Sequence, residues 1–126
     1  DGDVSGVISV ANPKLEIDMY IGIGGGPEGV LAAAALDCLG CQMQTRLVFN
    51  DDKEKKRAFN LGINDLNKKY SITDMVKNDV IFLATGVTDG EMVKGINVKD
   101  NFFESHTLVL HKGTKTNKIL KSKIKK

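Results

Sequence analysis

The sequence is poor in residues that brace a small fold through covalent or metal cross-links. In 126 residues it has two cysteines, two histidines, two prolines and no tryptophan. The cysteines form one C-x-x-C, Cys38 to Cys41. A zinc site needs four ligands, and the only histidines lie far along the chain. His106 and His111 are five apart in a strand-like run, so they face opposite sides. The C-x-x-C closes a helix instead of opening one, and the negative end of a helix dipole repels a thiolate. Cys38 and Cys41 therefore read as buried structural thiols. No apolar run reaches the roughly 18–20 residues of a membrane span, and no secretory leader is visible. The expectation is a cytoplasmic protein with no membrane partner. There are no internal repeats and no low-complexity linker, and the length suits one domain. The chain opens on Asp1 with no initiator Met, which reads as a fragment or a processed form.

Acid is missing from one end. Residues 112–126 carry seven lysines and no Asp or Glu, while the remainder holds 11 basic and 16 acidic residues, a balance of −5. A basic tail can bind nucleic acid. This one has no aromatic side chain on which bases would stack, so nucleic acid is not expected. The segment reads as the lysine-guarded edge of a hairpin.

Patterning places the elements. "DVSGVISVA" (3–11) and "EIDMYIGI" (16–23) read as strands, the second apolar enough to be buried on both faces. A helix follows from Pro27 to about Leu39, with Pro27 suited to a first helical position and Gly40 to a left-handed cap. "QMQTRLVF" (42–49) is a third strand and "NDDKEKKRAFNLG" (50–62) a polar surface helix. "SITDMVK" (71–77) carries a Ser71/Asp74 capping box. "DVIFLATG" (79–86) is a central strand, "VTDG" (87–90) a turn, and "FFESHTLVLHKGTKTNKILKSKI" (102–124) a hairpin turning near Gly113. The alternation implies an α/β fold with a mixed, mainly parallel sheet, crossover helices and a C-terminal hairpin. Helix 27–39 has only Glu28 and Asp37 as polar side chains. A helix apolar all round must be covered nearly all round, which points to a part of something larger.

Three stretches hold candidate chemistry. Gly24, Gly26 and Gly29 fit G-x-G-x-x-G after a strand and before a helix, with Asp51 and Asp52 near the place of a ribose-binding acid. A dinucleotide-binding domain would put Glu28 beside a pyrophosphate, where like charges meet. Glu28 suits a hard oxygen ligand for Mg²⁺ or Mn²⁺ better; alternatively it is an exposed first-turn acid favoured by the helix dipole. Asp1 and Asp3 would share one face of a strand, as sugar or metal ligands or as a polar turn. Thr85, Thr88 and Asp89 in "ATGVTDG" (84–90) would line the carboxyl end of a buried strand, where α/β proteins gather ligands, or form a plain turn.

In order, "DGDV", "IGIGGGPEGVLAAAALDCLG", "MQTRLV", "DVIFLATGVTDGEMVKGI" and "ESHTLVL" resemble the C-terminal half of class II fructose-1,6-bisphosphatase, the GlpX type. The resemblance runs from Asp1 to about Leu110. It implies a cytoplasmic, gluconeogenic phosphatase that hydrolyses the 1-phosphate of fructose 1,6-bisphosphate with Mn²⁺ or Mg²⁺. It implies the layered sugar-phosphatase (lithium-sensitive phosphatase) fold and a homo-oligomer. By this likeness Glu28 is a metal ligand, and Asp1, Gly2, Asp3 and Gly25 contact substrate. Residues 1–126 would be the C-terminal domain. The family's Asp-Pro-x-x-Gly-Thr type motif and distal-phosphate bases are absent, so the N-terminal half would have to supply them and the chain alone would be inactive. Cys41 stands where the family tends to have Gly. A non-catalytic assembly role is the remaining alternative.

Overall fold

A computed structural model describes residues 2–126. The chain forms helix α1 (Gly2–Ser9), helix α2 (Gly26–Leu39), strand β1 (Gln44–Arg46), helix α3 (Asp52–Asn60), strand β2 (Lys69–Ser71), helix α4 (Ile72–Met75) and strands β3 (Ile81–Thr85), β4 (Asn97–Val98), β5 (Phe102–His111) and β6 (Thr116–Lys125). The α/β class holds. The mainly parallel sheet does not: every strand pair among the described residues is antiparallel.

Among the described residues there are two sheets. β1 pairs only with β2, Thr45 opposite Tyr70. In the larger sheet β5 is central. β6 pairs along its whole length, from Phe102 opposite Lys125 to His111 opposite Thr116. β3 pairs with residues 107–111 and β4 with 103–104, so these two share the other edge of β5. The crossover expectation failed for a physical reason. A crossover helix must lay an apolar stripe on its sheet, and α3 buries only Ala58. It stays in solvent, held by its own cap, where Glu54 N–H donates to Asp51 Oδ1 at 2.8 Å.

Side-chain alternation divides the larger sheet into two faces. Phe82 lies opposite Leu110 and Ala84 opposite Leu108. On this face Phe82, Leu108 and Leu110 are buried with Val4 and Ile8 of α1 and Ala35 of α2. A second cluster joins Ala33 and Leu36 of α2 to Ile72 of α4. α2 is thus the spine between the sheet and α4, and its alanines let both approach closely. It keeps the expected caps: Pro27 sits in its first turn, and Gly40 ends it at φ +72° with its N–H donating to Asp37 O and Leu36 O. The other sheet face is uncovered, with Ile81, Leu83, Leu120 and Ile124 exposed.

Two expected strands are absent. Residues 3–11 form mostly helix, because Val4, Val7 and Ile8 fall one helical turn apart and pack inward. Residues 16–23 form no regular element, and Met19, Ile21 and Ile23 are largely exposed. The C-terminal hairpin and its turn near Gly113 are as expected. The thiols are free and half-buried. Cys38 Sγ donates to Val80 O at 3.5 Å. Burial, then the adjacent Asp37 charge, push its pKa up, the opposite of a reactive thiol.

Candidate functional site

The glycine loop and the start of α2 form the corner that holds the expected site. Gly25 caps α2 with extended backbone, φ −68° and ψ 153°, and no side-chain cap bond is made. Its carbonyl accepts from Gly29 N–H at 3.0 Å. The helix therefore opens with free N–H groups and the positive end of its dipole at the loop.

Two close approaches gather the expected residues. A Cβ built on Gly25 would collide with the Glu28 carboxylate, whose Cδ would lie 3.1 Å away. Glu28 thus folds back over the loop instead of pointing into solvent. A Cβ on Gly24 would lie 3.4 Å from Asp3 Oδ2. So Asp3 at the start of α1 meets Gly24, and Glu28 meets Gly25, in adjacent residues of one loop. Asp3 and Gly25 are exposed and Glu28 half-buried, as a corner open to a ligand requires. Gly2 begins α1; Asp1 lies outside the described residues. Asp3 lies on a helix and not on the expected strand.

A dinucleotide reading finds no support. Glu28 covers the loop where a pyrophosphate would lie. Asp51 caps α3 and Asp52 pairs with Lys55 at 2.9 Å, so neither waits for a ribose. The carboxyl end of β3 is also used internally. Thr85 Oγ1 and Thr107 Oγ1 share a hydrogen bond of 2.8 Å. Asp89 Oδ1 accepts from Gly95 N–H at 2.9 Å and closes the 87–96 loop.

No group of three His, Cys, Asp or Glu among the described residues can hold a metal ion. Glu28 is one hard ligand, and Mg²⁺ or Mn²⁺ needs several before it gives up its waters. The described residues thus do not fit a complete metal centre.

Pattern reading missed the paired acids. Asp79 Oδ2 lies 2.7 Å from His111 Nε2, and that hydrogen bond is the main reason Asp79 sits below the usual carboxylate range. Lys112 Nζ donates to Asp37 Oδ2 at 2.9 Å, tying α2 to the hairpin turn. It also missed His106, which is buried; its parity with Leu108 and Leu110 in "ESHTLVL" was the available signal.

The chain was compared with known proteins. The family model for bacterial fructose-1,6-bisphosphatase, glpX-encoded, matches residues 1–124. The chain is 38% identical over 130 residues to a class 2 fructose-1,6-bisphosphatase of Haemophilus influenzae, covering 92% of this chain and 39% of that protein. It is 35% identical to fructose-1,6-bisphosphatase 2 class 2 of Escherichia coli K12, covering 97% and 42%. It is 31% identical to a D-fructose 1,6-bisphosphatase class 2/sedoheptulose 1,7-bisphosphatase of Synechococcus, covering 92% and 37%. The chain spans about two fifths of the length of these relatives.

Proposed function

The chain belongs to the bacterial glpX-encoded fructose-1,6-bisphosphatase family, and on that premise we propose that it is the C-terminal portion of a phosphatase. The reaction is hydrolysis of the 1-phosphate of fructose 1,6-bisphosphate to fructose 6-phosphate, a gluconeogenic step in the cytoplasm. Residues 1–126 act as one domain. The observation that carries the reading is the meeting of Asp3 with Gly24 and of Glu28 with Gly25 at the opening of α2.

Each residue has a part in this reading. The Asp3 carboxylate accepts hydrogen bonds from sugar hydroxyls, beside Asp1 and Gly2. Gly25 has no side chain, so substrate can approach the loop backbone. The free N–H groups at the start of α2 face the negative charge of a phosphate. Glu28 contributes one carboxylate to a Mn²⁺ or Mg²⁺ centre whose other ligands lie in the portion that the relatives have and this chain does not span.

The uncovered apolar sheet face and exposed residues 17–23 also favour work within a larger assembly, with these residues as part of the layered sugar-phosphatase (lithium-sensitive) fold and the whole as a homo-oligomer. Glu28→Gln and Asp3→Asn, made in the completed enzyme, test the assignment. Glu28→Gln is expected to raise the Mn²⁺ needed for half-maximal rate and to lower kcat by about 100-fold. Asp3→Asn is expected to raise KM for fructose 1,6-bisphosphate with the Mn²⁺ requirement unchanged. A Glu28→Gln enzyme with wild-type Mn²⁺ dependence refutes the role given to Glu28.

A further inference from the structure

We infer that the pocket beneath the 87–97 loop binds a small oxyanion, a phosphate or carboxylate group, with His106 as its buried anchor. The pocket is lined by Asp89, Lys94, Asn97, Glu104, His106 and Lys121 and has a volume of about 360 Å³, the range of small-metabolite sites. It includes none of Asp3, Gly25 or Glu28. His106 is 7% exposed, and its Nδ1 is buried with no hydrogen-bond partner. Buried polar atoms nearly always have a partner. An unmet imidazole nitrogen on a residue that lines a polar pocket therefore points to a ligand that supplies one.

The fold builds the pocket without help. His106 shares a face of β5 with Leu108 and Leu110, which are covered by α1 and α2. The loop crosses beside His106, and Gly86 N–H donates to His106 O at 3.1 Å. The loop is folded tightly on itself: a Cβ on Gly95 would come within 2.6 Å of the Thr88 backbone. Lys121 lies directly opposite His106 in the β5–β6 register.

Unpartnered donors select the ligand. The two acids are already engaged, Asp89 by Gly95 N–H and Glu104 by Lys123 Nζ at 3.8 Å. Lys94 and Lys121 form no ion pair among the described residues. The lining balances two carboxylates with two ammonium groups, so an anion is favoured by the donors left without a partner, Lys94, Lys121 and the imidazole, and not by net charge. A metal cation is disfavoured, since no three ligating side chains converge among the described residues.

The test is a ¹H–¹⁵N NMR titration of the full chain with inorganic phosphate and, separately, with acetate, at constant ionic strength. Saturable shifts at His106 and residues 88–97 are expected, with at least about tenfold weaker binding in Lys121→Met and in His106→Gln. Saturation by phosphate alone identifies a phosphoryl ligand, and saturation by acetate alone a carboxylate. Lys121 is exposed on β6, so its variant keeps the fold and decides the matter if His106→Gln unfolds. Shifts that rise linearly with both ions, that appear at residues 24–28 instead, or that persist unchanged in Lys121→Met would overturn the inference.

Discussion

Replacing Gly25 with Ala separates the position of Glu28 from the stability of the fold. The backbone at residue 25 is extended, φ −68° and ψ 153°, so alanine fits there without strain. The added methyl collides with the tip of one flexible side chain, the Glu28 carboxylate, and with no backbone atom of the loop. Glu28 changes rotamer and its carboxylate moves by roughly 1 Å or more to regain van der Waals distance. The stability terms nearly cancel. Alanine is a poorer helix cap than glycine by about 1 kcal/mol, while losing glycine stiffens the unfolded chain and returns about 0.4–1 kcal/mol. The net change stays below about 1 kcal/mol, a few degrees in Tm for a chain of this size. Catalysis is less forgiving, because a misplacement of about 1 Å can cost about 100-fold. The assays are thermal unfolding by circular dichroism and phosphate release by the completed enzyme. A near-native Tm with kcat down by about 10- to 100-fold is expected. An unchanged kcat would refute the placement of Glu28 over Gly25.

Other perturbations probe the scaffold. Leu110 is 1% exposed between Phe82 and Ile8 in the main cluster, so Leu110→Ala is expected to lower unfolding stability by about 2–5 kcal/mol in urea titration. Gly86 leaves no room for a side chain, since a Cβ would strike Lys94 O; Gly86→Ala is expected to cost about 1–3 kcal/mol by displacing the 87–96 loop. Asp74 accepts from Ser71 N–H and Oγ–H at 2.9 Å, which holds its pKa at about 2. A lowered carboxylate pKa stabilises the fold above its unfolded value of about 3.9 and loses that contribution as pH falls through the folded value. Asp74→Asn is therefore expected to flatten stability between about pH 4 and pH 2, read by acid titration of the fluorescence or circular dichroism signal. Burial raises the pKa of Cys38, so its alkylation by iodoacetamide at pH 7 is expected to lag that of a free peptide thiol.

The elements legible in the sequence were those with their own punctuation. α2 is bracketed by Pro27 and Gly40, α3 by the Asp51 cap, α4 by the Ser71/Asp74 box, and the hairpin by its turn at Gly113. Elements whose conformation depends on neighbours were not legible. The β-branched run Val4 to Val10 favours a strand locally, yet contact with α2 and the sheet makes it a helix. "EIDMYIGI" has the composition of a buried strand, but among the described residues no strand lies beside it, and it stays irregular and exposed. Sheet direction was misread because alternating strands and helices suggest crossovers only when each helix can cover a sheet, and α3 cannot.

The site was legible as motif and not as geometry. The Pro-Glu-Gly after four Gly-rich positions singled out Glu28, and the "DGD" singled out Asp3. No spacing rule could show that Asp3 reaches Gly24, a contact between a helix and a loop more than 20 residues apart, and the fold of Glu28 over Gly25, three residues away, is a rotamer choice that spacing does not set. The uses of Asp79 and Asp89 as loop ties were equally invisible, because they depend on which N–H groups the folded chain leaves unpaired.

The decisive measurement is release of inorganic phosphate from fructose 1,6-bisphosphate in Mn²⁺, by this chain alone and by this chain combined with the portion of the longer relatives that it does not span. No release from the chain alone and clear release from the combination is the expected result, with Glu28 completing a centre built elsewhere. Release by the chain alone would contradict it, because Asp3, Glu28 and their loop would then be a sufficient site.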